Sequence, residues 1–378
     1  AAHFDWLEAQ GVPFERSYFS GKAVYLLTSE CLMWTGNEKA WPYNQAARPA
    51  PRGHKVAGMG ENAGVEAMKA LLQRCVDEAV PAIYDAAVIA LVQDGDGRVT
   101  GVKVRQNGRE FFARGRRGVV IACGSHNLAR DLLDEHVPLL SETSEPLAIP
   151  SNDGAGVRLC LSAGASAVAM DGVIPTASIY PPAQLIKGIV VNANGQRFVA
   201  EDVYHGRLGN FVMEQPGQTA YLIVDSEIFA YPEIPSARHA LVDGWETVEE
   251  MEAGLALPPG SLVATLAEYN RDAASGQDRR FHKQADWLKP LNQGPYAAFD
   301  ISFNKSTYLF ITLGGIKADG QGRALNLHAQ TIPGLYVVGA SAAHIPRTGK
   351  AYASGLSLGP GSYFRRRAGR HAAGANWG

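Results

Sequence analysis

At 378 residues the chain exceeds one typical hydrophobic core, so two domains or one large discontinuous domain is expected. Hydrophobic residues make up 46% and charged residues 19%, the formal net charge is −2, and no block of Lys or Arg is interleaved with aromatics, which excludes disorder and the electrostatic footprint of a nucleic-acid binder. Cys31, Cys75, Cys123 and Cys160 form no CxxC or Cys/His cluster, the ten histidines lack HExxH spacing, and no apolar run approaches the roughly 18 residues of a membrane span, so no metal site and no membrane span is expected, and a reducing cytoplasm is the expected location.

His3, Trp6 and Leu7 share one face of an opening helix, and Gly11 is a plausible stop. From Tyr18 to His54 the text is loop-like and aromatic, with Trp34, Trp41, Pro42, Tyr43 and Pro49, as an ordered lid or pocket wall would be. A helix follows from Gly64 to about Val80, with Val65, Met68, Leu72, Cys75 and Val76 on one face. The apolar run Ala87 to Val92, the turn Asp94-Gly95-Asp96-Gly97, the alternating Val99 to Val104 and Phe111-Phe112 predict a small antiparallel meander. Gly118 to Ser125 reads as a buried parallel strand ending in small residues, where a ligand can approach the backbone.

The texture changes from about Pro146 to Phe303, which we take as an inserted domain: Asn152-Asp153-Gly154 heads a helix, Gly188 to Asn192 and Ala220 to Asp225 read as strands, Thr247-Val248-Glu249-Glu250 fits a capping box, and Ser261 is expected to cap the next helix. The chain closes with the buried strand Gly334 to Ala340 and a helix from about Leu356 to Ala373, where Arg365-Arg366-Arg367 reads as a solvated face or a last-turn dipole pairing. One motif misleads. Gly58-Met59-Gly60-Glu61-Asn62-Ala63 matches a dinucleotide GxGxxA, but the fingerprint needs a buried strand before it, and Pro49 and Pro51 forbid a central strand there.

Thr312-Leu313-Gly314-Gly315-Ile316-Lys317-Ala318-Asp319 and Ile332-Pro333-Gly334-Leu335-Tyr336-Val337-Val338-Gly339-Ala340 resemble the C-terminal signature of the fumarate reductase/succinate dehydrogenase flavoproteins, and Gly195-Gln196-Arg197-Phe198-Val199-Ala200-Glu201 resembles their G-x-R-F-V-x-E segment. Within that superfamily, Gly36 to Asn44, Pro49 to His54 and Tyr352-Ala353-Ser354-Gly355 resemble flavin-dependent 3-ketosteroid dehydrogenases of the Δ4-(5α) type. The resemblance implies an α/β fold with an α+β insert: an FAD-binding domain over 1–145 and 304–378, and a substrate and catalytic domain over 146–303. It also implies FAD as cofactor, a hydrophobic ketone as substrate and an unidentified electron acceptor as partner. Such enzymes begin with a βαβ unit carrying GxGxxG, which this sequence lacks; truncation is the expected explanation, and a flavin-free relative acting as a binding protein the alternative.

By the same resemblance Tyr204, Tyr352 and Ser354 are the catalytic candidates. Forming a double bond beside a ketone requires removal of an α proton and a β hydride, and the flavin takes the hydride. Tyr352, with the backbone N–H near Gly355, is the candidate donor to the ketone oxygen, and Ser354 and Tyr204 form a proton relay; Tyr352 as the base remains open. Gly339, Ala340 and the helix start at Ser357 and Leu358 are the expected flavin contacts, since a helix N-terminus offers free N–H groups and positive potential. Ala122, Cys123, Gly124 and the backbone at Ala87 and Val88 are expected on the adenosine side. The other enzyme reading is a fumarate-type reductase, for which His344 and Arg347 would be the anion ligands.

Overall fold

The structure, a computed structural model, describes residues 2–23, 26–60, 62–140, 142–233 and 239–374. Its centre is a parallel pair made by strands distant in sequence: Val119–Ile121 lies beside Thr331–Val337, with Leu335 opposite Val119 and Val337 opposite Ile121. Parallel neighbours need a crossover connection, and everything between the two strands supplies it. Ile121, Leu335 and Val337 close on Val157 and Cys160 of the helix Ala155–Ser162 and on Val99 of an antiparallel meander, Ala86–Gln93, Val99–Gln106 and Arg109–Arg114. The meander turn is released by Gly97 at φ +78, a backbone conformation that side chains other than glycine rarely adopt.

The larger core is built on a four-stranded antiparallel sheet in the order Ile189–Asn192, Ala220–Asp225, Tyr296–Asp300, Ala240–Trp245. Val190, Leu222, Ile223 and Phe299 are wholly buried in it, together with Met251 of the helix Val248–Gly254 and Leu262 of the helix Ser261–Ala274. Thr247 and Glu250 form the expected capping box. Ser261 is not the cap of the next helix: the helix begins at Ser261, Gly260 precedes it at φ +79, and the Glu252 carboxylate accepts the N–H groups of Gly260, Leu262 and Val263. A carboxylate satisfies several of the free N–H groups at once and adds charge complementary to the helix dipole, which a hydroxyl does not.

Four buried charges knit this domain to the segment that leads into the site. Arg197 donates from Nε to Glu201 at 3.0 Å and from Nη2 to Glu201 at 2.8 Å and Asp278 at 3.0 Å, while Lys283 lies 3.1 Å from Glu201. Burial alone would raise the Glu201 carboxyl, but the charges of Arg197 and Lys283 outweigh it and hold it below the usual carboxylate range.

Elsewhere the pattern meets open surface. The helix Gly64–Asp77 buries none of its residues, so Val65, Met68, Leu72 and Val76 are exposed, and no described strand pairs with the outer edge of Val119–Ile121. The glycine motif at 58–63 is preceded only by Gly53–His54, a two-residue strand antiparallel to Leu32–Met33, and Glu61 of that motif lies outside the described residues. Within the Arg run Arg365 is exposed, as a solvated face would be, whereas the Arg366 guanidinium lies 4.8 Å from the Trp6 ring centroid and ties the last helix to the helix Ala2–Ala9. Among the described residues no helix is long and apolar enough to cross a membrane, and no group of His, Cys, Asp and Glu is placed to hold a metal ion.

Candidate active site

Two tyrosines from distant segments meet against one short strand, Val173–Thr176. Tyr204 precedes the helix His205–Met213, whose Gly209 lies so close to Pro175 that a side chain there would strike its carbonyl. Tyr352 follows the turn Gly349–Ala351, and a Cβ at Gly349 would fall 2.7 Å from the Val173 carbonyl and 2.8 Å from the Asn210 amide. Both elements are therefore pressed onto the strand by glycine. The tyrosine rings stand 5.9 Å apart at 40°, buried with Ile174 and Leu313.

Burial raises the Tyr204 phenol well above its ordinary value, with Tyr352 and Tyr180 adding to the rise. Burial also raises Tyr352, partly offset by the hydrogen bond between its hydroxyl and Ser357 Oγ at 3.0 Å. Both phenols are therefore neutral at neutral pH and carry a proton to donate. The His205 ring lies 4.0 Å from the Tyr204 ring, tilted at 45°, and burial followed by the Lys22 charge lowers it to about 3, so this imidazole is neutral too. Lys22, lowered by burial to about 8, donates to the Asp202 carbonyl just behind the tyrosine.

Two cavities meet at Leu356. One, of about 340 Å³, lies at the carboxyl end of the parallel pair and has glycine walls at Gly320, Gly322, Gly339 and Gly361 with Ser357 at the start of the helix Leu358–Ala372. The other, of about 310 Å³, has an alanine and proline wall, Ala46, Ala47, Pro49, Ala50, Ala351 and Ala353, faced by Asn37, Glu38, Arg48 and Arg52, and neither Tyr204 nor Tyr352 lines either cavity. The crevice beyond the carboxyl ends of parallel strands is where α/β sheets bind nucleotides and flavins. Gly339, at φ +63, leaves no room for a Cβ beside the Arg365 guanidinium, so the first cavity owes its flat wall to glycine. At the start of the last helix the Gly359 and Gly361 N–H groups are already taken by the Gly355 and Ser357 carbonyls and Pro360 has none, so the glycine wall and not a row of free donors is what this end offers a ring.

The predicted residues separate into groups. Gly339 and Ser357 line the first cavity, Ala340 follows Gly339, and Leu358 is the exposed first residue of the helix. Ala122 and Cys123 are exposed at the end of their strand, and Gly124 is joined to the opposite strand end by the Ser341 hydroxyl at 2.8 Å from its carbonyl. Ala87 and Val88 stand in the outer meander and line neither cavity. The Ser354 N–H donates to the Thr35 carbonyl at 3.3 Å, whereas Ser357 is the serine that pairs with the Tyr352 hydroxyl. Gly355, at φ +86, accepts the Gly359 N–H at 2.8 Å and so opens the last helix. His344 and Arg347 both line the first cavity, and burial lowers His344 while its Nδ1 lies 3.2 Å from the Leu313 carbonyl.

Gly36 and Asn37 escaped the sequence reading as functional residues. Gly36 sits at φ +122 with its α-carbon against Tyr204, and an added Cβ would fall 2.7 Å from Tyr204 Cδ2. Gly36→Ala is expected to push the ring aside and lower turnover on the order of 10²-fold, the usual cost of misplacing a reacting group by an ångström. Steady-state rates with the folded fraction checked by circular dichroism decide this, and an unchanged rate would show that Tyr204 has slack.

With this geometry in view, the FAD binding domain family matches residues 1–354. The chain belongs to this family. FAD is therefore its cofactor, and the mixed α/β fold is that of the fumarate reductase flavoproteins, as the sequence led one to expect. The crystal structure of 3-ketosteroid-Δ4-(5α)-dehydrogenase from Rhodococcus jostii RHA1 in complex with 4-androstene-3,17-dione is similar with a TM-score of 0.90 at 36% identity, over 98% of this chain and 77% of that one. Among curated proteins, 3-oxo-5-alpha-steroid 4-dehydrogenase of Comamonas testosteroni is 26% identical over 89% of this chain and 75% of its own length. A probable fumarate reductase of Shewanella frigidimarina is 24% identical over 76% of this chain, which spans only 50% of that protein.

Proposed function

We propose that this protein dehydrogenates the CH–CH bond beside the carbonyl of a hydrophobic ketone of the 3-ketosteroid class. The observation that carries this is a pair of buried, neutral tyrosines packed with Leu356, the residue shared by the walls of the two cavities. When bound, the flavin accepts the hydride from the β carbon.

The protein's own residues supply the rest. Tyr352 polarises the ketone: its hydroxyl pairs with Ser357 Oγ, in a bond either atom can donate, and in the arrangement where Ser357 donates the Tyr352 proton is left to bond the carbonyl, stabilising the negative charge that develops as the α proton leaves. Tyr204 and Ser354 carry that proton away, and a neutral phenol does so by releasing its own proton as it takes one. The alanine and proline wall binds ring surface and excludes water. In this reading 146–303, which carries Tyr204, is the catalytic insert, and 1–145 with 304–378 hold the cofactor, with Ala87, Val88, Ala122, Cys123 and Gly124 on its adenosine side.

A fumarate-type reduction is the second reading, favoured by His344 and Arg347 on the wall of the first cavity. Against it, His344 is neutral and committed to a carbonyl. Protein expressed from the complete gene and mixed without oxygen with a 3-keto-5α-steroid separates the two. Bleaching of the flavin band supports dehydrogenation, whereas no bleaching, with rapid re-oxidation of the chemically reduced flavin by fumarate, overturns it.

A further inference from the structure

We infer that Asn37 is the positioning residue that sets the separation of the two site tyrosines, one side-chain amide bridging the two segments that carry them. Its Nδ2 donates to the Tyr352 carbonyl at 2.9 Å and its Oδ1 accepts the Tyr204 N–H at 3.0 Å, and the residue is 4% exposed. No other described side chain bonds the main chain of both. An amide holds a donor and an acceptor on one rigid plane, so a single side chain satisfies an N–H from one segment and a C=O from the other.

The amide is itself fixed. Glu38 accepts the N–H groups of Thr35 at 2.8 Å and Gly36 at 2.9 Å, the Asn37 carbonyl accepts the Ala40 N–H at 2.9 Å, and the Thr35 carbonyl accepts the Ser354 N–H. The turn is thereby locked before it reaches the tyrosines. Because each tyrosine is held at its main chain, loss of the bridge lets the two phenols drift relative to each other while both hydroxyls stay in place, and the small part of the cavity wall that Asn37 supplies becomes apolar in the leucine variant.

This inference rests on the reading of Tyr204 and Tyr352 as the reacting pair, and its consequence is a split between kcat and KM. Asn37→Leu, similar in size and without polar atoms, is expected to lower kcat on the order of 10²-fold with KM changed little. Asn37→Asp adds a readout that mere loss of structure would not give. Protonated, an aspartic acid donates to the Tyr352 carbonyl and accepts from Tyr204, as the amide does; ionised, it sets negative charge against a carbonyl oxygen. Its activity therefore gains a limb that falls as pH rises through the new carboxyl, which neither the parent nor the leucine variant shows. The charged and titratable groups around position 37 include Glu38 and Lys39 on its own turn, Tyr43, Arg48 and Arg52 on the cavity wall, Lys22 and Asp202 on the other side of Gly36 and Glu38, His205 against Tyr204, and the two tyrosines, all present in every variant compared.

The experiment combines these kinetics with fluorine NMR of fluorotyrosine-labelled holoenzyme, the two resonances being assigned with Tyr204→Phe and Tyr352→Phe. The expected result is that Asn37→Leu moves or broadens those two signals and leaves the other tyrosines in place. Unmoved signals, a parental kcat, or a uniform change across all tyrosines would overturn the inference. If the parent enzyme ignores ketosteroids, the proposed function fails while the NMR arm still decides the role of Asn37.

Discussion

Tyr352→Phe lowers turnover on the ketone by on the order of 10²- to 10³-fold while the flavin stays bound, because the substitution removes one hydroxyl aimed at developing charge and little else. The ring remains buried against Ile174 and Leu313, so packing is conserved, and only the pairing with Ser357 is lost. Single-turnover bleaching under nitrogen measures the step directly. Removal of an interaction made only in the transition state lowers kcat and kcat/KM together, so a rise in KM at constant kcat would show instead that Tyr352 merely binds substrate.

Arg197→Met destabilises the protein by about 3–5 kcal/mol, as breaking a buried ion pair by removing one partner does. Glu201 and Asp278 have wholly buried side chains, and without the guanidinium Lys283 alone faces the Glu201 charge. The pH dependence follows in sign. Burial would raise both carboxyls, yet the Arg197 charge and hydrogen bonds hold them below their ordinary values, so their contribution is complete above the usual carboxylate range and is lost as pH falls through the depressed folded values. In Arg197→Met the acid limb of the stability curve therefore begins at higher pH. Urea unfolding of parent and variant across pH tests both parts, and a difference under about 1 kcal/mol at neutral pH would mean the network relaxes without its arginine.

Much of the fold was legible because its signals are local. Apolar runs closed by small residues and a DGDG turn mark the parallel pair and the meander: the meander stands where the text puts it, while the pair forms over Val119–Ile121 and Thr331–Val337, with Val120 exposed where a buried strand was expected. Periodicity names a face without naming what covers it: the helix Gly64–Asp77 has its apolar stripe, and that stripe faces outward among the described residues. Ser261 was assigned a cap from a sequence rule, whereas the group that satisfies those N–H donors, Glu252, arrives from the preceding helix.

In the site, the resemblance supplied Tyr204 and Tyr352, and the structure brings them together. It did not supply Asn37, whose side chain reaches two main-chain groups far away in sequence, nor the pairing of Ser357 with Tyr352. Such contacts leave no spacing to find, since a hydrogen bond across a fold is written in neither periodicity nor composition. Ala87 and Val88 stand on a meander strand that lines neither cavity.

The most direct test of dehydrogenation beside the carbonyl is to identify what a single anaerobic turnover makes from one equivalent of a saturated 3-keto-5α-steroid. Chromatography with mass detection is predicted to recover a product lighter by two hydrogen atoms, absorbing in the ultraviolet as a conjugated enone, in amount equal to the flavin bleached. Unchanged steroid, or an alcohol heavier by two hydrogens, would contradict the account.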